Sequence, residues 1–211
     1  MDLNKKYYRG VGKECHEIPP ATELIAEIVA SPCYRDYNKY MNFCASSVEC
    51  AGLWMEFGVW KGKTIVLLAE STSETIYGFD SFEGLPESWY DDKGCFSLGG
   101  TPPELNIDNI KLVKGWYNET LQPFLEKHNE KVAFVHIDCD LYSSTKCVFD
   151  NIADRVQVGT IIIFDELWHC WKWEEHEYKA WEEFLEERNV KVTCIAHNDG
   201  SKAAFRIDSI G

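Results

Sequence analysis

Two acidic pairs stand where apolar runs end. Asp138 and Asp140 close the stretch FVHIDCDLY (134–142), and Asp165 and Glu166 follow IIIF directly. Carboxylates in such places can bind a hard cation, take a proton as a base, or merely cap a buried strand where it meets water. Read alone, FVHIDCDLY leaves all three open. If the two runs are neighbouring parallel strands, their ends lie about 5 Å apart, and four carboxylates then converge on one small volume. Such crowding is costly unless something positive sits among them. Mg²⁺ above all takes oxygen ligands in octahedral geometry and leaves places for water or substrate hydroxyls. A cap accounts for one or two of these acids, hardly for four. His136 has apolar neighbours along the chain and reads as a satisfied core histidine. His169, just beyond the second pair, is the better candidate for a site residue.

A second group lies upstream. In EFGVWKGKT, Gly58 and Gly62 bracket a turn into a helix, where bare backbone and free N–H groups can approach a ligand. The spacing is neither the dinucleotide pattern G-x-G-x-x-G nor a P-loop, because Phe stands at position 57 where the latter needs glycine. Asp80 ends the next apolar run roughly 20 residues on, the station at which an acidic residue accepts ribose hydroxyls in nucleoside-binding sheets.

The elements that must position these residues follow from periodicity. GLWMEFG (52–58), TIYGFD (75–80), NIKLVKG (109–115), KVAFVHID (131–138) and GTIIIFDE (159–166) read as strands. Helical patterns follow at KTIVLLAE, near 120–128, at 144–156 and at 174–188, and a Gly/Pro-rich loop covers 81–103. VKVTCIAH and SKAAFRID, joined through N-D-G-S, form a closing hairpin. The expected fold is α/β: a doubly wound, mostly parallel seven-stranded sheet ending in an antiparallel pair, with ligands at the carboxyl ends of the strands. ATELIAEIVA and DYNKYMNFCASSV read as helices of an N-terminal cap (1–49) over the catalytic part (50–211), and as a surface for a homodimer or higher homo-oligomer.

Composition narrows the function classes. The chain has 211 residues, which suits one domain, and carries a formal charge of −14, which disfavours nucleic acid as partner. A run of roughly 20 apolar residues, as a membrane span requires, is missing from the sequence, and the N-terminus lacks an apolar signal region; a cytoplasmic protein without membrane attachment is expected. The nine cysteines are scattered and show no C-x-x-C pair, so they read as reduced thiols in the core. Much of the acidity falls in WEEHEYKAWEEFLEER, which reads as a solvated helix face. Trp168, Trp171 and Trp173 either stack on a substrate ring or pack the final helix onto the sheet.

The motifs EFGVWKGKT, GFDSFEGLPE, HIDCDLYSST and IIIFDE, in that order over about residues 50 to 185, resemble the macrocin O-methyltransferase group of S-adenosylmethionine-dependent enzymes. The resemblance implies a class I methyltransferase fold, S-adenosylmethionine and Mg²⁺ as cofactors, and a small-molecule hydroxyl acceptor such as a sugar or another diol. It implies that Glu56, Gly58 and Gly62 surround the methionine part of the cofactor, that Asp80 and Ser81 hold the ribose, and that Trp116 lines the adenine pocket. It further implies Asp138, Asp165 and Glu166 as metal ligands, with Asp138 also beside the cofactor, and Asp140 as base, His169 being the other candidate. Glu166 departs from the group, where a second Asp is common. A metal-dependent nucleotide-sugar glycosyltransferase also fits a strand ending D-x-D, but leaves the glycine turn, Asp80 and the second acidic pair unexplained. A non-catalytic ligand-binding protein on the same fold would be expected to have lost the acids, which are intact.

Overall fold

The computed structural model describes residues 22–88, 95–170, 172–198 and 200–211. Trp171, the middle of the Gly/Pro-rich loop and Asp199 of the hairpin turn lie outside them, as does the chain before Thr22.

Seven strands form one sheet: β1 (Leu53–Phe57), β2 (Ile76–Asp80), β3 (Ile110–Lys114), β4 (Val132–Ile137), β5 (Ile161–Phe164), β6 (Lys191–His197) and β7 (Ala203–Ser209). Their order is β3-β2-β1-β4-β5-β7-β6. The first five pair in parallel, and β7 enters antiparallel between β5 and β6. Strand order reverses between β1 and β4, and that switch point opens a crevice at the strands' carboxyl ends.

Helices cover both faces. α4 (Tyr117–Lys127), α5 (Tyr142–Ile152) and α6 (Glu177–Glu187) bury Phe124, Phe149, Trp181 and Phe184 against Phe57, Phe79, Val135, Phe164 and Phe205. On the other face α2 (Tyr37–Ser46) and α3 (Lys63–Ser71) bury Tyr40, Met41, Ile65 and Leu68 with Trp54, Ile76, Phe134 and Ile161. β4 is buried at every position because both of its faces are covered, which explains its nearly unbroken apolar sequence. α4 starts three residues before the expected 120, at the Trp116–Tyr117 step.

Of the two helices before position 50, α1 (Glu23–Ala30) lies against β6, and α2 against α3 and β6. Thr22 and Asp36 cap them, their side-chain oxygens accepting the N–H groups of Ile25 and Lys39. The Glu27 carboxylate accepts the Cys194 N–H of β6 at 2.9 Å, tying α1 to the sheet. The described cysteines are all free thiols, with Cys44, Cys139 and Cys194 buried as core fillers. No described helix is long and apolar enough to cross a membrane.

Candidate active site

Backbone hydrogen bonds continue the ladders one step past the strands and fix where the polar residues stand. Gly58 N–H donates to Phe79 O, Asp138 N–H to Phe57 O, and Asp165 N–H to Ile137 O, all at 2.8–3.0 Å. The ends of β1, β2, β4 and β5 are thereby held in register around a cavity of about 510 Å³, a volume typical of small-molecule sites. Among the described residues its charged lining comprises five carboxylates (Asp80, Asp138, Asp140, Asp165, Glu166) and two ammonium groups, Lys63 and Lys202. Gly58 adopts φ +93°, and a Cβ there would lie 1.7 Å from the Asp138 carbonyl oxygen. Only glycine lets the two strand ends come so close.

Both acidic pairs therefore reach one volume. Asp140 is the tip of a three-residue turn closed by Leu141 N–H to Cys139 O, with φ +60°. Strain of this kind collects at functional sites. Burial pushes the Asp140 carboxyl up to about 8, helped by the charges of Glu166 and Asp165 and opposed by Lys202. Glu166 is pushed up to about 7 by burial and by Asp165. Asp138 is driven well above the carboxylate range by burial, Asp165 and Asp140. In all three, burial is the largest cause, and neighbouring carboxylates that outnumber the nearby positive groups add to it.

Other expected site residues stand elsewhere. Glu56 is fully buried and does not line the cavity. Its Oε2 lies 3.1 Å from His136 Nδ1, across the β1–β4 pair. Burial raises its carboxyl, and the His136 contact opposes that rise. His136 is thus more than a core histidine. Its Nε2 has no hydrogen-bond partner and faces Asp165 Oδ1 at 4.0 Å, and donor atoms of His136, Asp138 and Asp165 all lie within 4.8 Å of one another. Glu166 lines the cavity but is not part of that trio. Gly62 starts α3 at φ +80° against the Leu105 side chain, away from the lining. His169 stacks on Trp168 at 4.0 Å and is likewise absent from the lining. Trp168 and Trp173 are core residues, 1% and 7% exposed, so packing is the reading that holds for them. Among the described aromatics of the lining, Trp60 and Phe96 form an exposed pair, edge to face at 5.5 Å.

Asp80, Ser81 and Trp116 do line the cavity. Asp80 Oδ2 accepts the N–H groups of Val59 and Trp60 at 2.9 and 2.7 Å, and Oδ1 accepts that of Phe82 at 2.7 Å. A carboxylate offers about four acceptor positions, so Asp80 retains about one for a ligand. Its main bonds hold the glycine turn.

Two residues that the sequence reading missed complete the centre. Glu177, in the first turn of α6, is fully buried, although its segment reads as a solvated face. Its two carboxylate oxygens accept the backbone N–H groups of Asp140 at 3.2 Å and Glu166 at 3.3 Å, clamping both acidic loops. Lys202, directly before β7, forms an ion pair with Asp165 Oδ1. The only local signal for Glu177 is its position four residues before Trp181, on the apolar stripe of α6; nothing local marks Lys202.

The strand order, the single antiparallel β7 and the crevice at the switch point define a class I methyltransferase fold of the Rossmann-like type. The family model described as "Methyltransferase domain" matches residues 55–167, and the chain belongs to that family. Among curated relatives it is 23% identical over 154 residues to 8-demethyl-8-(2,3-dimethoxy-alpha-L-rhamnosyl)-tetracenomycin-C 4'-O-methyltransferase of Streptomyces olivaceus, covering 60% of this chain and 58% of that one. It is 23% identical over 141 residues to demethyldecarbamoylnovobiocin O-methyltransferase of Streptomyces niveus, covering 55% and 53%. The matches thus span little more than half the length of these relatives. The crystal structure of the calicheamicin methyltransferase CalS11 shares the fold, with a TM-score of 0.65 and 21% identity over 93% of this chain and 98% of that one. The nucleotide-sugar transferase reading gains nothing from these matches.

Proposed function

We propose that this protein is an S-adenosylmethionine-dependent O-methyltransferase of the macrocin O-methyltransferase group, acting on a hydroxyl of a sugar or another diol-bearing small molecule. The observation that carries this reading is the convergence of Asp138, Asp140, Asp165 and Glu166 on one cavity that Gly58, Asp80 and Ser81 also wall. The relatives' names, both of O-methyltransferases and one acting on a rhamnosyl compound, support the choice of acceptor.

The cavity's excess of carboxylates favours a cationic sulfonium, and its loss of charge on methyl transfer weakens the hold on product. The remaining acceptor position of Asp80 and the Ser81 hydroxyl suit a ribose, and Trp116 offers an indole to the adenine. Asp140 takes the acceptor's proton. In the metal-free protein its carboxyl is raised to about 8, which makes it a far stronger base than an ordinary aspartate yet still partly ionised near neutral pH. S-adenosylmethionine would supply an activated methyl group there, and Asp140 on one wall with Asp80 and Ser81 on another would hold acceptor and donor in the alignment that transfer demands.

The donor set also fits a divalent cation: two carboxylates and a buried imidazole nitrogen without a partner approach one point. Asp138, Asp165 and His136 would hold the ion, with Glu166 beside them. Such an ion acidifies a bound hydroxyl and stabilises its developing charge. Glu56 then orients the imidazole through Nδ1, as carboxylates do behind metal-bound histidines.

The test is calorimetry with S-adenosylmethionine, a UDP-sugar and NAD, each with and without Mg²⁺, followed by transfer of a labelled methyl group to a panel of diol sugars and catechols. Binding of S-adenosylmethionine and labelled product are expected. Silence toward S-adenosylmethionine refutes the reading.

A further inference from the structure

The acidic centre already contains a tethered cation. Lys202 Nζ pairs with Asp165 Oδ1, the same oxygen that faces His136 Nε2 at 4.0 Å. Both partners of the ion pair are more than four-fifths shielded from solvent, at 17% and 18% exposure. The backbone beneath Lys202 is fixed for this placement. Ser201 Oγ donates to Asp165 O at 2.7 Å, and Ser201 O accepts the N–H groups of Leu167 and Trp168. Asn198 Oδ1 accepts those of Gly200 and Lys202. The hairpin and the loop after β5 are stitched together, and Lys202 Nζ also donates to Asp165 O at 3.4 Å.

Resting on the cation reading above, we propose that Lys202 and a divalent ion compete for one place, and that metal entry displaces the lysine side chain. An ion held by the trio of His136, Asp138 and Asp165 lies roughly 2.0–2.6 Å from a carboxylate oxygen. The Asp165 oxygen nearest the imidazole is the one the ammonium occupies, and an ion and an ammonium crowded onto that oxygen repel each other strongly in so shielded a place. His136 Nε2 is the second sign that the place is built for a cation: a fully buried nitrogen with no partner, turned toward the same oxygen. The ammonium has a second partner beside the ion pair. Nζ already lies over the Tyr37 ring, on the wall contributed by α2, 5.3 Å from its centroid, so a move toward that ring leaves it a cation–π contact. In the metal-free protein Lys202 thus neutralises part of the carboxylate crowd, and the ion must outcompete it.

Mn²⁺ serves as probe, with affinity read by electron paramagnetic resonance at fixed pH in the wild type, Lys202→Met and Asp165→Asn. Lys202→Met is expected to bind Mn²⁺ at least tenfold more tightly than the wild type, and Asp165→Asn to bind it weakly. Equal or weaker binding by a folded Lys202→Met overturns the proposal. A second measurement needs no variant. Acetylation of individual lysines of the wild type, followed by mass spectrometry, should show Lys202 reacting several-fold faster when Mn²⁺ is bound. An unchanged rate at saturating Mn²⁺ overturns displacement. If no form binds Mn²⁺, both the competition and the cation reading fall, whereas retained heat with S-adenosylmethionine leaves the methyltransferase assignment standing.

Discussion

Replacing Asp140 by Asn should stabilise the metal-free protein increasingly as pH rises. The Asp140 carboxyl is raised from 3.8 to about 8, chiefly by burial and then by Glu166 and Asp165. A raised acid binds its proton more tightly when folded than when unfolded. Stability is therefore fully present below the unfolded value and is lost as pH climbs toward the folded one. Each pH unit between the two values is worth ~1.4 kcal/mol, so the interval sets a ceiling of about 5–6 kcal/mol at pH 8 and above. Water entering the cavity and relaxation of the Lys202 side chain reduce this, leaving an expected gain of ~2–4 kcal/mol. Asn is suited to the test because it tolerates the positive φ that residue 140 adopts. The assay is urea unfolding of both proteins at several pH values from 4 to 9, in chelator. The curves should nearly coincide at pH 4 and separate up to pH 8. A difference that stays within ~0.5 kcal/mol across the range would refute the electrostatic account of the centre. The same variant should still bind S-adenosylmethionine while losing methyl transfer.

Two further predictions follow from the packing of the strand ends. Gly58→Ala sets a methyl against the Asp138 carbonyl at a positive φ, and should cost about 3 kcal/mol or more, read as a lower urea midpoint or loss of soluble protein. Glu177→Ala leaves the buried N–H groups of Asp140 and Glu166 without their acceptor and should cost ~2–4 kcal/mol in the same assay, whereas Glu177→Gln, which keeps one accepting oxygen, should cost less.

The Trp-rich stretch shows how far local sequence reaches. Its spacing allowed either a stacking surface or packing, and Trp168 and Trp173 turn out to be packed, while the exposed aromatics near the cavity, Trp60 and Phe96, belong to loops with no periodicity to read. The segment around Glu177 shows the converse. In sequence it is one more acid among many on a helix, yet it faces inward, because the side of α6 that carries Trp181 also carries Glu177.

The strands and most helices were legible because burial imposes its period directly on the chain: β4 is apolar throughout since helices cover both its faces. The acids at 138, 140, 165 and 166 and the glycine turn were legible for the same reason, as polar residues that interrupt apolar runs at the strand ends where ligands bind. What sequence could not supply is which distant groups meet there. His136 finds Glu56 across 80 residues of chain, Asp140 finds Glu177 across 37, and Lys202 finds Asp165 through a hairpin. Those meetings depend on strand order, on β4 lying beside β1 and on β7 entering between β5 and β6. Periodicity records which face of an element is buried, not which element buries it, so the acids could be read from the chain while the partners that set their charge were decided only by the fold.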